Sequence, residues 1–290
     1  MSAAPKLADS LDLGPVHITV TDLDRSVSFY QDAIGLQARE RSDTEASLSA
    51  GGDDVLHLVE DRDARPPDRH AGLYHFALLH PSRDELARAV ARLAATRTPI
   101  TGASDHGISE AVYLPDPDGN GIELAADRAR ERWGDLSDPT TIGPRPLDLD
   151  ALLATVAAEQ PQRRADAALA VGHLHLHVGD VDQGLGFYRE VIGFEVQTLF
   201  PSAAFVSVGG YHHHLAFNTW RGEGVPDAPA GAVGLRHWTV LLDAPGLEAV
   251  KRRLGEAGIA MEAGDGGVLV RDPSNNAVLL AERGAYSPPP

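Results

Sequence analysis

The chain of 290 residues contains no cysteine. Disulfides, thiolate nucleophiles and thiolate metal sites are therefore excluded, and any metal must sit on histidine or carboxylate side chains. Positive charge is scarce: 25 Lys and Arg stand against 42 Asp and Glu, a formal net charge of −17. That sign argues against nucleic acid or an anionic membrane surface as a partner. No stretch approaches the roughly 18 consecutive apolar residues of a membrane helix. The first residues, MSAAPKLADSLDLG, lack an apolar core of signal-peptide length. A soluble, cytoplasmic protein is expected, with neither nucleic acid nor membrane as partner. Phosphate loops are missing too, because Gly51-Gly52 and Gly209-Gly210 read as turns with no helix behind them.

What is present is a repeat. Residues 20–36 read VTDLDRSVSFYQDAIGL and residues 178–194 read VGDVDQGLGFYREVIGF, at an offset of 158. A second pair matches Gly72-Leu-Tyr-His75 to Gly234-Leu-Arg-His237, and DPDGNGIEL at 116–124 to DPSNNAVLL at 272–280. The order is A-B-A′-B′. Each unit opens on a strand, as at 16–20 or 171–178. In the A units an Asp follows at an N-cap position (Asp22, Asp180), then apolar residues at helical spacing, then a stop at Gly35 or Gly193. In the B units the helix is expected over 82–95 or 245–257. Short strands complete each unit. The expected division is a first module pair at 1–127 (modules 14–60 and 72–126) and a second at 170–290 (modules 171–220 and 234–282). A linker at 128–169 holds one helix, 147–158, and no chemistry of its own.

This layout resembles the vicinal oxygen chelate superfamily, which includes glyoxalase I, extradiol dioxygenases and antibiotic-resistance proteins. The resemblance covers nearly the whole chain. It implies an α+β fold of four βαβββ modules that form two cupped, mixed β-sheets with helices outside. It also implies that metal ligands come from the first and last strands of each module. At those positions the first module has Pro15 and Leu56, neither of them a ligand. The second has His75 and Glu123, the third His173 and His214, and the fourth His237 with Leu279. Pairing the second module with the third gives His75, Glu123 and His173, with His214 and His237 in reserve. Two histidines and one carboxylate suit Fe(II), with Mn(II) as the alternative, and leave three positions open for a small aromatic diol and O2.

A second stretch is similar to the extradiol dioxygenase pattern: His106-Gly-Ile-Ser-Glu-Ala-Val-Tyr113, then Asp116-Pro-Asp-Gly-Asn-Gly-Ile-Glu123. Its one departure is Ser104, where the family usually has another small or apolar residue. By this resemblance, to a bacterial catechol-dioxygenase subgroup in particular, His106 and Tyr113 line the substrate pocket and Tyr113 hydrogen-bonds a reacting oxygen. The third module carries Tyr211-His212-His213-His214. The family has a histidine near there that takes the catechol proton, and the alignment favours His213 over His214. Strand alternation would turn His213 away from His212 and His214 unless a bulge intervenes.

The other histidines have plainer readings. His173, His175 and His177 alternate onto one face, so His175 joins His212 and His214 as a substrate-pocket residue. His17 reads as structural, His57 as surface or core filler, and His70 and His80 as solvated loop-edge residues. His237 is either a relic of a duplicated site or a ligand, should modules three and four pair. The Phe-Tyr pairs at 29–30 and 187–188 read as core. The expected function is extradiol ring cleavage. The alternatives are a metal-dependent glyoxalase-like isomerase or lyase, for which His214 would be a fourth ligand, and a non-catalytic binding protein of the resistance type. A homo-oligomer is compatible with all of them.

Overall fold

The structure, a computed structural model, describes residues 6–8, 11–138 and 143–286. Local chemistry sets each module's helix. In the first, Asp22 accepts the Arg25 N–H at 2.9 Å and starts the helix Leu23–Phe29. The helix widens into a π-turn over Tyr30–Ile34 and ends at Gly35, at φ 85°. A Cβ at Gly35 would meet the Ala165 nitrogen at 2.7 Å, so both conformation and space require glycine. The third module repeats this device with Asp180, the helix Val181–Leu185, the turn Gly186–Ile192 and Gly193 at φ 103°. In the second and fourth modules, Ser82 and Asp243 cap the helices Arg83–Thr96 and Ala244–Glu256.

Among the described residues there are two sheets of nine strands. Within each module the closing strand runs parallel to the opening strand, which gives the βαβββ unit. The modules do not pair as the two halves of the sequence do. The opening strand of the fourth, Gly234–Leu242, runs antiparallel to that of the first, Val16–Val20. The opening strand of the second, Gly72–His80, runs antiparallel to that of the third, Ala170–His177. One sheet therefore holds modules one and four, and the other holds modules two and three. The fold is α+β, as expected. The spans 1–127 and 170–290 are each divided between both sheets.

The two sheets are tied together by a duplicated pair of contacts. Buried Tyr30 donates its hydroxyl to Asp116 Oδ2 at 3.0 Å, and buried Tyr188 donates to Asp272 Oδ2 at 3.0 Å. Arg92 donates to the Ala33 and Ile34 carbonyls (3.1 and 2.6 Å), where the first module's helix runs out of internal N–H donors. Arg253 does the same for Val191 and Ile192 (2.7 and 2.6 Å). The tyrosines of the Phe-Tyr pairs are thus core residues with a polar task.

The linker departs from the sequence reading in two ways. Its helix is short, Leu149–Ala154. Its strand Arg145–Pro146 pairs with Gly102–Asp105, so it extends the sheet of modules two and three. His80, expected to be solvated, is 3% exposed at the inner end of its strand, and burial lowers its pKa to about 3.

Candidate metal centre

Register places the expected ligands. In the sheet of modules two and three, Ala77 pairs with His173 on one side and with Glu123 on the other. Paired residues share a face, so Glu123, Ala77 and His173 form one row, and His75 lies two residues along from Ala77 on the same face. The methyl group of Ala77 leaves the centre of the row open. The side chains of Glu123 and His173 therefore lean inward toward His75.

They converge closely. The Nε2 atoms of His75 and His173 lie 3.0 and 3.1 Å from the same oxygen, Glu123 Oε2. Ligand atoms of all three lie within 4.8 Å of one another, and all three residues are buried. Two ligands bound cis at about 2.1 Å from an octahedral ion stand roughly 3.0 Å apart, against roughly 3.4 Å for a tetrahedral one. His173 Nε2 and Glu123 Oε2 share a hydrogen bond at the 3.1 Å distance, and a divalent ion could replace that proton with little movement of either side chain. His75 Nε2 adds an independent sign. It is fully buried and close to the carboxylate, yet it has no hydrogen-bond partner, because Oε2 lies off its N–H direction. A cation at the point of convergence would satisfy that atom. Burial alone would raise the Glu123 carboxyl; its two histidine neighbours outweigh this and hold it well below the usual carboxylate range. The donor set therefore fits a divalent metal with open positions.

Beside the triad, His106 Nε2 and the Tyr113 hydroxyl share a hydrogen bond of 2.8 Å. Tyr113 pairs directly with Glu123 across the closing hairpin, and its ring lies 5.6 Å from that of His75. Burial, and then the Glu123 charge, push its phenol above the ordinary range. His213 lies against His173 with ring centroids 4.1 Å apart. Alternation does not govern it, because residues 212–214 form a bent segment ahead of the strand Leu215–Asn218.

Three of the remaining expected residues are otherwise engaged. His212 Nε2 donates to Asp127 Oδ1 at 3.0 Å, and its Nδ1 meets His213 Nδ1 at 2.8 Å, so both ring nitrogens are taken. His214 Nδ1 accepts the Val208 N–H at 3.3 Å and does not join the triad. His175 stands in the cup, 5.0 Å from the His75 ring, with Nε2 held by Asn218 at 2.8 Å. His237 is in the other sheet. It pairs with His17, and His17 pairs with His57, so the three rings stack in a row at 3.9 and 4.7 Å. Leu279, paired with Thr239 two residues along from His237, stands where the other sheet has its carboxylate, and among the described residues these histidines form no ligand cluster. His237 therefore cannot reach the triad.

The sequence reading missed several groups here. Asp127 shares a strand face with Glu123 four residues on, a signal that period-two counting would have caught. Trp133, in the linker, packs its ring 5.1 Å from His212, so the linker does reach the site. Tyr74 swings onto the cup face at a register shift opposite His175 and Leu176, a β-bulge. It lines a cavity of about 640 Å³ together with His75, Tyr113, His177 and Arg221.

Comparison with known proteins follows this geometry. Residues 12–124 and 170–280 match the model of the Glyoxalase/Bleomycin resistance protein/Dioxygenase superfamily. A catechol-2,3-dioxygenase of Bacillus subtilis is 39% identical over 274 residues, covering 92% of this chain and 95% of that protein. Among solved structures, a putative dioxygenase from Bacillus subtilis superposes with a TM-score of 0.67 at 14% identity, over 99% of this chain and 87% of that one. Glyoxalase I from Zea mays gives 0.60 at 18% identity, over 95% and 94%. These two likenesses concern the fold. The family match spans both halves of the repeat and takes in all three residues of the triad, and on it the chain belongs to the Glyoxalase/Bleomycin resistance protein/Dioxygenase superfamily.

Proposed function

We propose that this chain is an extradiol dioxygenase that opens a catechol-type ring with O2 at a mononuclear site of His75, Glu123 and His173. The observation that carries this reading is the buried three-ligand cluster, with ligand atoms within 4.8 Å of one another, and its orphaned His75 Nε2. The relative in Bacillus subtilis, a catechol-2,3-dioxygenase by name, supports it. Fe(II) is the expected metal, with Mn(II) as the alternative, because the same ligands serve both. Bound there, the metal would bring the diol and O2 together and pass electron density between them.

The chain's own residues supply proton handling and orientation. A carboxylate accepts only, so His212 carries its proton on Nε2, toward Asp127. Neutral His212 then offers a lone pair at Nδ1. His213 must donate from its own Nδ1, which leaves His213 Nε2 unprotonated. That nitrogen is the base for a catechol hydroxyl and the acid that later returns the proton. Burial, followed by the neighbouring His173, keeps the His213 ring neutral. His106 and Tyr113 hold each other and present the phenol beside the triad. A glyoxalase-like isomerase would call for a fourth ligand, and His214 is committed to the Val208 amide instead.

The test is reconstitution with Fe(II) under anaerobic conditions, followed by catechol and air. A yellow ring-opened product is expected. His213→Gln should lower kcat by roughly a hundredfold or more. Failure to cleave any of a panel of catechols would refute the reading.

A further inference from the structure

The cavity beside the triad has an uneven wall. His75, Tyr113, Tyr74, Ile122, His177 and Arg221 are among the residues that line it. Arg221 is the one residue of that wall with a permanent charge, and no Asp or Glu lines it. It is half-buried, in the turn that follows the strand Leu215–Asn218. Among the described residues no carboxylate lies within salt-bridge distance of it, and nothing but burial acts on its ionisation. A guanidinium offers five N–H donors. One of these, on Nη1, is used, donating to the His70 carbonyl at 2.9 Å. That bond, with the one from Arg69 Nη2 to the Arg221 carbonyl at 2.9 Å, fixes the turn from both sides. Burial, and after it the Arg221 charge, lower the pKa of His177, which lines the same cavity, to about 4.

This arrangement is unusual in a chain with 42 acidic residues against 25 basic ones. Among the described residues, Arg221 has no carboxylate within ion-pair distance; it lines the cavity that His75 and Tyr113 also line, and it borders a second cavity whose wall includes Asp68 and Asp118. Desolvating a cation without a counter-ion carries a cost that a bound anion would offset.

We propose that Arg221 is an anion subsite, and that the ring substrate carries a carboxylate on a side arm directed away from its two hydroxyls. The proposal rests on the catechol reading and adds the class of substituent. The diol end of such a molecule would lie at the triad. The aromatic ring would pass Tyr74, which is 41% exposed at the mouth with Trp220 5.5 Å away. The arm would reach the guanidinium, whose planar fork suits a carboxylate.

The experiment compares two catechols of the same shape, one with a carboxyethyl arm para to a hydroxyl and one with a propyl arm. The Fe(II)-loaded enzyme should prefer the carboxylate by about tenfold or more in kcat/KM, the worth of one charge-assisted hydrogen bond. Arg221→Met should bring that ratio close to one, and Arg221→Lys should retain part of it. Arg221→Glu should reverse the preference toward an aminoethyl arm. Added salt should weaken the wild-type preference. A parallel calorimetric measurement on the full chain as purified, with phenylpropanoate against phenylpropanol, needs no turnover. The acid should bind more tightly in the wild type and lose that advantage in Arg221→Met, with melting curves checking that each variant is folded. If no catechol is cleaved but the calorimetric difference appears, the function reading fails and the anion subsite stands. If both catechols are cleaved with equal efficiency and the ratio is unmoved by Arg221→Met, the subsite is refuted and the function stands.

Discussion

Removing a single hydroxyl at Tyr30 separates the structural from the functional part of this account. Asp116 Oδ2 accepts from Tyr30 at 3.0 Å, while its two oxygens also take the Asp118 and Asn120 amides and the Asn120 side chain at 2.8–2.9 Å. Tyr30→Phe removes one of four donors from a buried carboxylate, at a cost of about 2 kcal/mol. Unfolding entropy near 2.1 cal/mol/K per residue gives about 0.6 kcal/mol/K for a chain of 290 residues. Tm should therefore fall by about 3 °C. The molecule contains its own control, since Asp272 takes the same four donors from Tyr188, Ser274 and Asn276. Tyr188→Phe should cost as much stability. The functional consequences differ. The Asp116 turn leads into the strand that carries Glu123, whereas the Asp272 turn leads into Ala277–Glu282, with Leu279 at the matching place. Metal affinity should fall about threefold in Tyr30→Phe, less than the loss for a ligand's direct partner, and stay unchanged in Tyr188→Phe. Calorimetric melts and anaerobic Co(II) titrations read both quantities. Unchanged melts in both variants, or equal losses of metal affinity, would refute the reasoning.

Further outcomes follow from the same geometry. Burial, with His237 and His57 adding to it, lowers the pKa of His17 to about 2 from an ordinary 6.5. The folded state therefore binds fewer protons than the unfolded chain below that value. The His17 contribution is complete above pH 6.5 and is lost as pH falls toward 2, at about 1.4 kcal/mol per pH unit. Urea titrations of His17→Gln between pH 6.5 and pH 5 should show a slope shallower by that amount; an unchanged slope would count against a buried neutral ring. Gly121→Ala would place a Cβ 2.1 Å from the Tyr74 carbonyl, between the strands that carry Glu123 and His75. It should cost about 3 kcal/mol and abolish Co(II) binding, and a variant that binds metal normally would show that those strands tolerate separation.

Much of this was legible in the sequence, because a duplication leaves two copies to compare. Pro15 at the place of His173 marks the first module as lacking its ligand, and Leu279 at the place of Glu123 leaves the fourth with His237 alone. The pairing of modules two with three could be weighed from ligand chemistry alone. What could not be read was set by register and by long-range contact. The bulge that turns Tyr74 into the cup depends on a partner strand about a hundred residues away. The bond from His212 to Asp127 spans 85 residues, and with the contact to His213 it occupies both ring nitrogens of His212. His80 looked solvated because it ends a strand, yet the packing of Arg92 and the linker over that strand end buries it. Arg221 carried no local pattern. Its place beside His75 and Tyr113 comes from a cavity whose wall joins residues about 150 positions apart.

The most direct measurement of the central claim is anaerobic Co(II) titration of the wild type beside His75→Ala, Glu123→Ala, His173→Ala and His237→Ala, followed by the visible absorption of the bound ion. The account expects one equivalent bound in the wild type and in His237→Ala, and loss of that site in each of the other three. Binding that survives His75→Ala but disappears in His237→Ala would place the metal in the opposite sheet and contradict it.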